Sequence, residues 1–126
     1  MSTVEIVRAS LSNNDRAVEK AMVLLYACQT ADEKATKTTR VTNGMGFTSS
    51  DARKGSYYAR WVIGCRREDD EAQTAAKMRD YLTHGFREGI NRRLSGNFLQ
   101  DARHRSMKYA GQLLRISEAM RKPEGA

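Results

Sequence analysis

Nine basic side chains crowd the stretch from residue 87 to residue 122: Arg87, Arg92, Arg93, Arg103, Arg105, Lys108, Arg115, Arg121 and Lys122. Only Glu88, Asp101 and Glu118 oppose them, and nine cations against three carboxylates leave the segment at +6. Arginine dominates the set, and its planar fork can hold a phosphate through two parallel hydrogen bonds. A purely solvated helix face usually balances its charge through i, i+4 pairs, and here the carboxylates are too few for that. Arg92, Arg93, Arg103, Arg105, Lys108 and Arg115 are therefore the candidate phosphate contacts, and the chemistry they offer is polyanion binding.

A second group lies upstream, in RVTNGMGFTSSDARKGSYYARW, residues 40–61. Arg53 and Lys54 supply charge, and the hydroxyls of Thr48, Ser49, Ser50 and Ser56 can donate to phosphate oxygens. Tyr57 offers a flat ring on which an unpaired base can stack. The loop residues Asn43, Gly44, Gly46 and Phe47 complete the candidate set, with the Phe47 ring expected to be free like that of Tyr57. Tyr58 and Trp61 fall instead on the stripe that a helix would bury. GMGFTS lacks the Gly-Lys-Ser/Thr ending of a Walker loop, and no dinucleotide fingerprint is present.

Nothing in the chain reads as a catalytic set: there is no HExxH, no G-x-S-x-G and no supported Cys–His pairing. Cys28 and Cys65 share no paired spacing, and His84 and His104 stand alone, so a zinc site lacks its four ligands. Both cysteines are expected in the core, reduced. Glu68-Asp69-Asp70-Glu71 reads as a helix start, where acidic groups complement exposed backbone N–H groups. The expectation is a non-catalytic protein with no metal and no cofactor.

These groups need elements to position them. Proline occurs only at Pro123, and β-branched residues are sparse outside the first ten residues and 36–42, which favours helices. Residues 2–8 alternate enough for a short strand, so residues 1–12 are expected as an extended arm. A first helix is expected from Asn13 or Asn14 to about Gln29, burying Val18, Ala21, Met22, Leu25 and Cys28. Ser49 or Ser50 should cap a second, with Tyr58, Trp61, Val62 and Cys65 inward. A third follows the acidic cluster, with Ala75, Met78, Leu82, Phe86, Ile90 and Leu94 on its buried side. After Ser95-Gly96-Asn97, one long last helix carries Leu99, Ala102, Ser106, Tyr109, Ala110, Leu113, Ser117 and Met120 along one face. On a helical wheel His104, Lys108, Arg115 and Lys122 gather opposite that face.

The 126 residues suffice for one domain, so the fold class expected is all-α: a single compact four-to-five-helix domain over 1–126, with a flexible tail at 122–126. No apolar run reaches the roughly 18 to 20 residues of a membrane span. The N-terminus also lacks a secretory signal, and a cytoplasmic protein without a membrane partner is expected. The net charge of +7 adds attraction for any polyanion.

Two blocks together resemble a known pattern: LLYACQTADEKATKTTRVTNGMGFTSSDARKGSYYA, residues 24–59, and RRLSGNFLQDARHRSMKYAGQLLRIS, residues 92–117. Matching residues include Gln29 to Glu33, Asn43, Gly44, Gly46, Phe47, Asp51 and Ala52, then Leu94, Ser95, Ala102, Arg103 and Lys108 to Leu113. The pattern is similar to a small accessory module of phage and bacterial DNA-processing, helicase-associated proteins. Thr48-Ser49 and Asn97-Phe98 depart from it, and so does Cys28. The resemblance implies a DNA-metabolism setting, in the host cytoplasm for a phage protein, without an assigned reaction.

Residues and resemblance together lead to the expectation of a small basic DNA-binding accessory protein. Its partner would be single- or double-stranded DNA or a nucleoprotein complex. The alternative is a phage-encoded, protein-binding inhibitor of a host defence or nuclease complex, an anti-CRISPR-like or host-takeover factor whose basic face covers an acidic partner. Self-association into a homo-oligomer is the third.

Overall fold

The computed structural model describes residues 3–39 and 46–121, with side chains described over 3–29 and 46–118. These residues form six helices, so the chain is all-α as expected, with more elements than the four or five anticipated. No helix among them is long and apolar enough to cross a membrane.

The N-terminal stretch is not an extended arm. Thr3–Asn13 is helix α1, because Val4, Val7 and Leu11 share one helical face and no strand among the described residues is there to pair with it. Leu11 is buried, and α1 packs on the second, fifth and sixth helices. Asn14 then turns the chain. Its Oδ1 accepts from Arg16 N at 2.9 Å and Ala17 N at 3.4 Å, satisfying orphan donors of the next helix.

That helix, α2, runs Asp15–Thr39, ten residues beyond the expected end at Gln29. It touches all five other helices and forms the axis of the fold. Val18, Ala21, Met22 and Leu25 are buried as the spacing predicts, and Cys28 is half-buried. Burial pushes the Cys28 thiol above its ordinary range, away from the reactive thiolate.

Helix α3 is Ser49–Ile63, entered from Thr48 and closed by Gly64, whose N–H bonds to Trp61 O while that of Cys65 bonds to Arg60 O. This pair of bonds is a Schellman closure, and Gly64 takes the left-handed φ of 85° it requires. A side chain there would also run into Ile90 O, only 2.2 Å from the position of a Cβ.

Helix α4, Glu71–His84, starts where the acidic run predicts. Asp70 and Gln73 exchange reciprocal hydrogen bonds of 2.8 Å in a capping box. It ends at Gly85, earlier than the apolar pattern suggests. Phe86 is only partly buried, and Ile90 is 51% exposed, while Leu94 is buried from an irregular segment.

The expected single last helix is two: α5, Gly96–Met107, and α6, Ala110–Arg121. At the corner Lys108 N and Tyr109 N reach back only three residues, to Arg105 O and Ser106 O. The buried Ser106 hydroxyl also bonds Arg103 O at 2.9 Å, which favours a bend. Ala102, Ser106, Tyr109, Ala110 and Leu113 still face the core, so the apolar pattern runs unbroken across the bend.

Candidate nucleic-acid interface

Most of the basic residues nominated from the C-terminal segment have intramolecular work. Arg92 lies 4.1 Å over the Trp61 ring and donates to Trp61 O at 2.9 Å and Cys65 O at 2.7 Å. It thereby supplies positive charge to the carbonyl end of α3. Arg93 stacks on Phe86 at 3.6 Å and pairs with Glu19 at 2.6 Å. Glu19 is 1% exposed, and its other oxygen accepts from Leu94 N, so this carboxylate anchors the 91–95 segment to α2. Arg103 joins α5 to the α1–α2 corner by donating to Leu11 O at 2.8 Å and pairing with Asp15.

Arg105 and Lys108 converge on Asp51, which is 2% exposed. Arg105 reaches it at 2.5 Å and Lys108 at 3.2 Å, and the Tyr109 hydroxyl donates at 2.5 Å. Arg105 also bonds Asp101 at 2.8 Å, and Asp101 accepts from Tyr58 at 2.5 Å. Burial alone would raise both carboxyls. The hydrogen bonds from Tyr109, Lys108 and Arg105 hold Asp51 below the ordinary aspartate value, and those from Arg105 and Tyr58 do the same for Asp101. The Tyr58 hydroxyl is pushed up to about 12 by burial and by its bond to Asp101. Of the C-terminal candidates, Arg115 is exposed without an ion pair among the described residues.

The glycine loop is similarly engaged where it is described; Asn43 and Gly44 lie outside the described residues. Gly46 N–H donates to Gln112 Oε1 at 2.8 Å, and Thr48 N–H donates to the Tyr109 hydroxyl at 3.1 Å. Neither amide is left to receive a phosphate. Phe47 is not free: it is 8% exposed, lies edge-on to Tyr109 at 5.8 Å, and occupies the space above Gly55. Gly46 packs directly on the backbone of Gln29. Residues from both blocks of the resemblance thus meet at one junction: Gln29, Gly46, Phe47 and Asp51 from the first, and Lys108, Tyr109 and Gln112 from the second.

The outward face of α3 is different. Positions 53, 54, 57, 60 and 61 recur at helical spacing opposite the buried Gly55, Tyr58, Ala59 and Val62. Tyr57 is 50% exposed, and Phe98 from the start of α5, 52% exposed, stands beside it with ring centroids 6.0 Å apart at 68°. Tyr58 backs both rings from below. Arg53 and Lys54 flank them, exposed and without ion pairs among the described residues. Together these side chains line a cleft of about 600 Å³.

A second cleft, of about 490 Å³, continues from the first, sharing Tyr57 and Arg60 with it and adding Trp61, Arg66, Arg67 and Arg92. Arg60 is held in place by bonds to Thr74 Oγ1 and Arg66 O. The Trp61 Nε1–H bonds Arg93 O at 3.1 Å, leaving the ring against Arg92. Six cations and four rings line the two clefts, and no carboxylate does.

Of the nominated residues, Arg53, Lys54, Tyr57 and Arg92 meet here. Phe98, Arg66 and Arg67 are additions. Arg66 and Arg67 follow the α3 turn as a plain charged run, and nothing local signals that Phe98 lies beside Tyr57. Trp61, expected in the core, is only partly buried. Among the described residues no three His, Cys, Asp or Glu side chains gather as a metal site.

Compared with protein-family models, curated proteins and solved structures, the chain finds no match.

Proposed function

We propose that this chain binds single-stranded nucleic acid along the outward face of α3, as a non-catalytic accessory protein. The observation that carries the reading is the pair of adjoining clefts that hold six cations and four aromatic rings without a carboxylate. Cations track a phosphate backbone, and exposed rings take bases that are not already stacked in a duplex. The Tyr57–Phe98 pair would stack one or two bases. Arg53, Lys54, Arg66 and Arg67 would follow the phosphates on either side, and Arg92 would act chiefly by fixing Trp61. The phage-type DNA-metabolism setting suggested by the sequence pattern agrees with this role.

The test is fluorescence anisotropy with labelled oligothymidine, with a duplex of equal length as competitor. Binding at about 50 mM salt that weakens steeply as salt rises is the expected result. Preference for the duplex, or no binding under these conditions, sinks the single-strand reading.

A further inference from the structure

A third basic cleft shares no residue with those on α3. It measures about 410 Å³ and lies between α2, the end of α4 and the 85–93 segment. Arg16 and Lys20 stand one helical turn apart on α2 and project to the same side. Both are exposed, and neither makes an ion pair among the described residues. Arg93 enters from the facing segment, already oriented by Glu19 and by the Phe86 ring. Its one hydrogen bond among the described residues uses a single N–H of the five that a guanidinium carries. Glu88 is the only carboxylate in the lining, and Glu19 lies behind it paired with Arg93, so three positive groups stand against two negative ones, with Arg16 and Lys20 unpaired among the described residues.

The second observation is Tyr81. It is 6% exposed and lines this cleft, yet its hydroxyl makes no hydrogen bond among the described residues. The ring is buried while the hydroxyl opens onto the cationic cleft, so its O–H is available to donate to an anion held there. Burial, then the nearby Glu19, pushes its ionisation up to about 12, which keeps it a donor at neutral pH.

We propose that this cleft is a binding site for a phosphate-bearing anion, held by Arg16, Lys20 and Arg93 and by a hydrogen bond from the Tyr81 hydroxyl. Donors converging from α2, α4 and the 85–93 segment suit the several oxygens of a phosphate better than the flat pair of a carboxylate. The phosphate could come from a small free compound or from the terminal phosphate of a nucleic-acid strand, and the recognising chemistry is the same.

Titration calorimetry with inorganic pyrophosphate, at matched ionic strength, tests the first source. A short oligothymidine with and without a terminal phosphate tests the second. Wild type should bind pyrophosphate, or favour the phosphorylated oligomer, and Tyr81→Phe and Lys20→Gln should each weaken that binding about tenfold. Lys20 is exposed, so its variant keeps the test valid even if Tyr81→Phe loosens the fold. Tyr57→Ala should leave pyrophosphate binding unchanged, which separates this site from the α3 face. Failure of wild type to bind either probe, or equal binding by wild type and Lys20→Gln, overturns the proposal.

Discussion

Gln112 holds both backbone polar atoms of Gly46. Its Oε1 accepts from the Gly46 N–H at 2.8 Å, and its Nε2 donates to the Gly46 carbonyl at 3.4 Å. A side chain on α6 thus closes a loop that leads into α3, and Tyr109 does the same for Thr48 two residues on. Replacing Gln112 by Ala should cost about 1–2 kcal/mol in urea unfolding. Amide exchange at Gly46 should accelerate with little change at buried Val62, since the defect is local.

Asp51 is the charge that draws α3 to the α5–α6 corner. Asp51→Asn leaves Arg105 and Lys108 facing a neutral amide. Because both cations keep some access to water, the cost should fall near the low end for a broken buried pair, about 2–3 kcal/mol. The pH dependence follows from the sign of the shift. The folded carboxyl sits below its ordinary value, so its stabilisation is complete above about pH 5 and is lost as pH falls through and below about 4. Chemical denaturation from about pH 5 down to about pH 2 should show a flatter acid limb in Asp51→Asn than in wild type; equal limbs would contradict the assignment.

Gly55 and Phe47 make a steric pair. A Cβ on residue 55 would stand 2.4 Å from the Phe47 ring, so Gly55→Ala must displace the ring despite its better helix propensity. A loss of about 1–3 kcal/mol is expected by thermal melting. The double variant Gly55→Ala/Phe47→Leu should regain part of it.

The α3 face predicts a separation of binding from stability. Tyr57→Ala and Phe98→Ala should each weaken single-strand affinity by about tenfold or more, at about 1–3 kcal/mol per stacked base. Both rings are half exposed, so melting should change little. Lys54→Gln should reduce the slope of log affinity against log salt by about 0.7, the share of one single-strand phosphate. Arg103→Ala should do the reverse, lowering the melting point while leaving the salt slope unchanged, because its donors go to Leu11 and Asp15.

The helical core was legible where the pattern is local. Val18, Ala21, Met22 and Leu25 on α2 could be read from spacing alone, and the start of α4 from its acidic run. The N-terminal helix was missed because Thr3 to Val7 alternate like a strand, and only the longer run to Leu11 shows the helical face. The α5–α6 bend was invisible because buried positions continue in step across it; the causes are a serine hydroxyl and the Tyr109 contacts, which spacing does not encode. The basic segment was misjudged for a related reason. Counting nearby carboxylates left its arginines unbalanced, yet their partners Glu19, Asp15 and Asp51 come from α2 and α3. Arg53 and Lys54, which make no ion pair among the described residues, lie on a face whose partner ring, Phe98, arrives from another helix.

Trp61 is the only tryptophan in the chain, and its ring lies under Arg92 in the wall of the second cleft. The protein therefore carries its own optical reporter. A base stacking near that indole, or a phosphate drawing Arg92 away from it, would change the emission of an unlabelled sample, and no second indole would dilute the signal.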